Sequence, residues 1–167
     1  MKSEINWKGQ KYLMEWFDDV NFEDLKNVTQ VYGFVFDGDG KLCIVDCNKG
    51  YWSLPGGGPE SYDVNFEDTL IREVDEEADL DIQNIQRVGY FRITPISDNC
   101  EKGIHHIVRY VAEVDNVREQ TIDPAENAIA LRKFIEPNEF LDFVDWKDNG
   151  EFQLKKALEV LNGKSKI

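Results

Sequence analysis

Residues 72–77 read Arg-Glu-Val-Asp-Glu-Glu, and this stretch restricts what the chain can become more than any other. A helix turns about 100° per residue, so Glu73, Glu76 and Glu77 fall within an arc of roughly 100°. Like charges at i,i+3 and i,i+4 repel, so a helix gains no stability by collecting them. A hard divalent cation reverses that sign, because carboxylate oxygens are its preferred ligands. The same helix, predicted over Asn65–Ala78, carries an apolar stripe of Phe66, Leu70, Val74 and Ala78 that must be buried against another layer. Asn65 is a good N-cap, and Glu67 and Asp68 in the first turn suit the helix dipole. The plain alternative is a solvated acidic face, which in a chain with 33 acids accounts for most such clusters.

The segment just upstream favours the cation. Trp52-Ser53-Leu54-Pro55-Gly56-Gly57-Gly58-Pro59-Glu60 is an apolar run broken by proline and three glycines. Backbone carbonyls and amides there can approach a metal or a phosphate with no Cβ between. Around these two features the pattern predicts strands over Gln10–Trp16, Thr29–Phe36, Lys41–Asp46, Gln86–Ile93, His105–Val114 and Ala130–Ile135. Asp37-Gly38-Asp39-Gly40 makes a hairpin turn, and Glu151–Leu161 a closing amphipathic helix. Strands alternating with two helices predict an α/β chain with a mixed sheet between helical layers.

Residues 52–80 resemble the signature of the Nudix hydrolases. That signature runs Gly, five residues, Glu, seven residues, then Arg-Glu-apolar-any-Glu-Glu-any-Gly-apolar. Its second half stands here as Arg72-Glu73-Val74-Asp75-Glu76-Glu77-Ala78-Asp79-Leu80, and Trp-Ser-Leu-Pro-Gly-Gly matches the family's usual lead-in. The resemblance implies an αβα sandwich with a mixed central sheet. It places a Nudix domain over 31–167 and leaves 1–30 as an N-terminal extension packing on it. It implies Mg²⁺ or Mn²⁺ held by Glu73, Glu76, Glu77 and the carbonyl of Gly56. Glu76 and Glu77 then carry the catalysis, with Arg72 orienting a box carboxylate. The family draws a further Glu, sometimes the general base, from the loop before the last strand. Glu126 stands at about that place, and Glu119 is its rival.

The chain departs from the signature twice. Counting back from Arg72, the family's Glu falls on Val64, and the lead-in glycines lie one residue too far away. Asn65 keeps the N-cap position, so the extra residue belongs to the loop 58–64, where Asp63 and Glu60 are the carboxylates able to fill the role. Asp79 replaces the Gly that ends the helix; Asp tolerates a left-handed conformation at a cost of about 1 kcal/mol.

A net charge of −14 opposes a nucleic-acid polymer as partner, since that wants basic patches, but is compatible with a small phosphorylated nucleotide bridged by cations. No apolar stretch reaches the roughly 20 residues of a membrane span, and the N-terminus lacks a signal-peptide pattern. Three cysteines without CxxC spacing fit a reduced, cytoplasmic protein, and a homodimer is compatible with the sequence.

Arg92 and Arg109 are candidate phosphate contacts through the bidentate fork. Trp52, with Tyr90, Phe91 and Tyr110, is a candidate face for stacking a base, against the ordinary reading of strand aromatics as core. His105 and His106 are adjacent on a predicted strand, so they point to opposite faces and form no joint ligand pair. Pro95 stands near a position where some family members acting on ADP-ribose carry a Pro. The expectation is a metal-dependent hydrolase cleaving the pyrophosphate of a nucleoside diphosphate linked to another group, ADP-ribose-like or a nucleoside triphosphate. Two alternatives remain: a catalytically silent Nudix-like domain that binds a nucleotide, favoured by Val64 and the loop insertion, and an unrelated α/β domain with an acidic helix.

Overall fold

The structure, a computed structural model, describes residues 1–124 and 126–163. Its centre is set by β3 (Val28–Phe36), a run of β-branched and aromatic residues buried on both sides over its second half. β3 pairs in parallel with β7 (His105–Val117), in register from Val31↔Val108 to Phe36↔Glu113. Every other pairing is antiparallel, so the sheet is mixed. It also contains β1 (Lys2–Trp7), β2 (Gln10–Phe17), β4 (Leu42–Asp46), β6 (Leu80–Pro95) and β8 (Leu131–Ile135), in the order β1-β2-β6-β7-β3-β4-β8.

Helices cover both faces. α1 (Phe66–Ala78) buries Leu70, Val74 and Ala78 with Val31, Val35, Val108 and Tyr110. On the other face α2 (Phe140–Phe143) and α3 (Lys147–Leu161) bury Phe140, Ala157 and Val160 with Phe34, Phe36 and Val111. This is the expected αβα sandwich. Among the described residues no helix is long and apolar enough to cross a membrane.

What positions the site is a fork beside β3. β4 pairs with it only at Phe36↔Leu42 and then diverges. The vacated edge is taken by a two-residue strand, β5 (Gly56–Gly57), with Tyr32↔Gly56 and Val31↔Gly57 as partners. Gly56 has φ +151, and a Cβ there would lie 2.1 Å from the Val31 carbonyl oxygen. A Cβ on Gly57 would meet the Glu73 carboxylate at 2.4 Å. Only a ribbon without side chains fits between β3 and the acidic face of α1.

Several elements differ from the sequence-based reading, among them β5 and the short helix α2, neither of which was predicted. β1 was not expected, because Lys2–Trp7 is mostly exposed and its apolar positions are few. β6 starts at Leu80, directly after α1, rather than at Gln86. Bulges between Gln83 and Gln86, with Asn84 at φ 51, interrupt the alternation that marks a strand. α3 starts four residues before Glu151, and Gly150 lies inside it, where a Cβ would sit 2.7 Å from Leu141. Residues 1–30 place β1 and β2 in the sheet itself: β2 pairs with β6 from Tyr12↔Pro95 to Phe17↔Tyr90, and Tyr12 and Trp16 are buried.

Candidate active site

Arg72 is the junction of the site. Its Nε donates to Asp63 Oδ1 at 3.1 Å and its Nη2 to Asp63 Oδ2 at 3.0 Å, a bidentate fork. Nη1 donates to Glu73 (2.8 Å) and Glu76 (3.2 Å), and Nη2 also reaches the Gly58 carbonyl at 2.9 Å. One guanidinium thus ties the glycine loop, the loop 58–64 and two turns of α1. Asp63 is set in turn by Thr69 Oγ1 and the amide of Glu60, each donating at 2.9 Å. The Arg72 fork holds its carboxyl down to about 2. Asp63 therefore occupies the place left open at Val64, which is exposed. Counted forward from Gly57, Asp63 stands where the signature puts its Glu, and the extra residue falls between Asp63 and Arg72.

Asn65 caps α1, its side chain accepting from the Asp68 amide at 2.9 Å. At the other end Asp79 adopts the left-handed conformation of the absent glycine, φ 49 and ψ 48. Its carboxylate accepts from the Thr121 amide (2.9 Å) and hydroxyl (2.6 Å), so the substitution also anchors the loop after β7.

Glu77 faces the glycine ribbon. It accepts from the Gly56 amide at 2.9 Å and from Cys47 Sγ at 3.1 Å. Burial pushes its carboxyl up to about 7, and burial raises Glu73 as well. Lys49, Tyr32 and Tyr51 share with Glu77 and Gly56 a small pocket of about 60 Å³. Glu126 is exposed, its carboxylate 3.5 Å from the Nζ of Lys49, which lines that pocket. Asp123, in the same loop, is buried, caps the turn through its bonds to the Ala128 carbonyl and the Glu126 and Asn127 amides, and places negative charge near Glu73 and Cys47. Sequence reasoning missed it; the Asp-Pro turn before β8 was its only signal.

The donor chemistry fits a hard divalent cation. Glu73, Glu76 and Glu77 supply carboxylate oxygens from one helix face beside the backbone of Gly56, and the Arg72 guanidinium pairs with three carboxylates, Asp63, Glu73 and Glu76, so negative charge remains in surplus. In the present arrangement each glutamate is turned to Arg72 or to Gly56, and no three His, Cys, Asp or Glu side chains among the described residues already converge as a metal-holding group.

Other candidates are placed elsewhere. Arg109 is buried under α3, donating to Gln153 Oε1 at 2.6 Å and to the Val108 carbonyl, with its guanidinium over Tyr32 and Trp146. It cannot serve as an open phosphate contact, because α3 and the aromatic rings enclose it; burial lowers its pKa to about 10. Arg92 is engaged by Glu15 at 2.9 Å and lies over Phe17, away from the Glu77 pocket. Trp52 is half-buried, in edge-on contact with Phe143, with Lys133 Nζ 5.2 Å over its ring. Phe91 and Tyr110 are core, and His105 and His106 bond to different carbonyls, of Gly103 and Lys26.

The comparison with known proteins agrees with this geometry. The NUDIX domain family model matches residues 26–156. The chain belongs to the Nudix family. Among solved structures, a point mutant of the Bacillus subtilis pyrophosphohydrolase BsRppH superposes with TM-score 0.70 at 18% identity, covering 95% of this chain and 97% of that one. An ADP-ribose pyrophosphatase from Streptococcus suis gives 0.55 at 25% identity, over 79% and 90% of the two chains. The NUDIX domain of Shewanella oneidensis NrtR, complexed with ADP ribose, gives 0.60 at 19%, over 84% and 92%. No curated protein matches by sequence. The fold is thus that of the family's pyrophosphohydrolases.

Proposed function

We propose that the chain is a Mg²⁺- or Mn²⁺-dependent pyrophosphohydrolase acting on a small nucleotide, a nucleoside diphosphate linked to another group. The observation that carries this reading is the Arg72 junction together with the Glu77–Gly56 bond, which fasten the carboxylate face of α1 to the glycine ribbon. Glu73, Glu76, Glu77 and the Gly56 carbonyl are the residues that would hold the cation. When bound, it neutralises the diphosphate and makes water acidic enough to attack at neutral pH. Arg72 fixes Glu73 and Glu76 in place, and Asp63 fixes Arg72. We assign to Glu126, exposed and paired with Lys49, the acceptance of a proton from the attacking water, with Glu119 as its rival. The net charge of −14 is compatible with such a substrate where divalent cations bridge the two sets of negative charge, and free Cys43, Cys47 and Cys100 suit a reducing cytoplasm.

The test is product analysis over a panel of nucleoside triphosphates, ADP-ribose-like and dinucleoside polyphosphate compounds, with Mg²⁺ and with a chelator. Cleavage of the pyrophosphate bond in at least one, abolished by the chelator and by Glu77→Gln, is expected. A second reading, a nucleotide-binding module without turnover, is favoured by the absence of a converged metal group among the described residues. Nucleotide binding without cleavage at any metal concentration selects it.

A further inference from the structure

Asp79 stands where the family signature has glycine, and glycine would supply its left-handed backbone, φ 49 and ψ 48, without strain. What the side chain adds is a pair of hydrogen bonds. It is 3% exposed, and its Oδ2 and Oδ1 accept from the Thr121 amide and hydroxyl at 2.9 and 2.6 Å. The main chain is tied at the same place. The Asp79 carbonyl accepts from the Arg118 amide at 3.0 Å, and Arg132, in β8, donates to the carbonyls of Ala78 and Arg118. The end of α1 thus grips the segment between β7 and β8 near its start and at its end. The bonds to main-chain carbonyls survive any substitution at position 79; the two to the carboxylate do not.

That segment leads to the acidic site. Two residues past Thr121, the buried Asp123 places its charge near Glu73 and Cys47. Its turn is closed by the Asp123 amide on the Ala128 carbonyl and the Asn127 amide on the Asp123 carbonyl, each at 2.8 Å. Glu126, in the same turn, lies 3.5 Å from Lys49, which lines the Glu77 pocket. Glu119, its rival as proton acceptor, belongs to the segment too, two residues before Thr121.

We propose that Asp79 is a positioning residue: it latches the segment between β7 and β8 to the end of α1 and so places the proton-accepting carboxylate beside Lys49 and the Glu77 pocket. A proton acceptor displaced by even about 1 Å loses much of its effect on rate, whereas Glu73, Glu76 and Glu77 sit on α1 and keep their places without the latch. Restoring the family's glycine should therefore relax the backbone and harm turnover. The inference rests on the proposed function for the role of that carboxylate, but the latch can be read without turnover.

The experiment compares wild type with Asp79→Gly, Asp79→Asn and Thr121→Val in the full chain. It reads hydrogen exchange at the Thr121, Asp123 and Asn127 amides, Mn²⁺ affinity by electron paramagnetic resonance, and kcat and KM on the nucleotide cleaved fastest. In Asp79→Gly the three amides should exchange at least about tenfold faster and kcat should fall about tenfold, with KM and the Mn²⁺ Kd within about twofold of wild type. Asn tolerates the left-handed conformation, accepts from the Thr121 amide and donates to its hydroxyl oxygen, so Asp79→Asn should stay near wild type. Thr121→Val loses only the hydroxyl bond and should fall between. Unchanged exchange in Asp79→Gly, or an Asn variant that fails as the glycine one does, overturns the latch. Mn²⁺ affinity that falls in step with kcat sends the effect through Glu77 and overturns it as well. Faster exchange in Asp79→Gly with an unaltered kcat overturns the positioning role and leaves the enzyme. Faster exchange confined to Asp79→Gly and Thr121→Val, in a chain that cleaves no nucleotide, upholds the latch and removes the enzymatic reading.

Discussion

Two arginines, one serving each side of the sheet, show how differently the same side chain is used. Arg72, on the α1 side, meets Asp63, Glu73 and Glu76 and is partly open to solvent. Arg109, on the α3 side, is closed in by Gln153, a carbonyl and aromatic rings, all neutral. The first region keeps more negative charge than it can neutralise, an arrangement that favours a cation over stability. The second places a single cation among packed rings, where dispersion and one side-chain hydrogen bond hold it. Unbalanced negative charge collects on the α1 side, the arrangement expected of a functional site, while the α3 side packs Arg109 among neutral groups.

The largest effects should come from the unbalanced side. Glu76→Gln and Glu77→Gln preserve shape but remove charge, and each should lower kcat by roughly 100-fold, about 3 kcal/mol of transition-state stabilisation, with the melting temperature little altered. Near wild-type turnover at saturating Mg²⁺ in both would remove these residues from the site.

A smaller contrast is expected in stability. Arg72→Met leaves Asp63, 5% exposed at its side chain, without its cation and should cost about 3 kcal/mol in denaturant unfolding. Arg109→Met removes a buried cation that has no acidic partner and should change stability by no more than about 1 kcal/mol. Gln153 then keeps its bond to the Asn149 carbonyl. Equal losses in the two variants would dissolve the contrast.

Acid should probe the Arg72 side selectively. Asp63 is held at about 2, below its ordinary 3.8, so its contribution is complete above about pH 4 and disappears as pH falls toward 2. The stability gap between wild type and Asp63→Asn should shrink over that interval. A gap constant from pH 5 to 2 would show that Asp63 is not ion-paired.

The smallest effect concerns Val64. Deleting one residue of the loop 58–64 and restoring Glu before Asn65 should leave the metal requirement unchanged, because Asp63 already grips Arg72. A markedly lower requirement in the repaired chain, read from activity against Mg²⁺ concentration, would show that Asp63 substitutes poorly.

These contrasts mark what could be read in the sequence. α1 was legible because its apolar stripe, its Asn65 cap and its acidic face all repeat at helical spacing within one short segment. The Gly56–Gly57 ribbon was legible because glycine there has a steric reason. Asp63 was half legible: one count, from Arg72, pointed to Val64, and only the loop geometry shows which carboxylate reaches the guanidinium. Arg109 was misread because its burial depends on Gln153, 44 residues away, and local pattern carries no trace of that. β1 was missed because an edge strand with one exposed face needs little apolar alternation.

The central claim is that α1 and the glycine ribbon together form a divalent-cation site. Titration of the full chain with Mn²⁺, followed by electron paramagnetic resonance in a background of NaCl, tests it without knowing the substrate. The account predicts saturable binding in wild type, weakened at least about tenfold in the Glu76→Gln, Glu77→Gln double variant. Equally weak, non-saturating binding in both chains would mean that residues 73–77 are only a solvated acidic face.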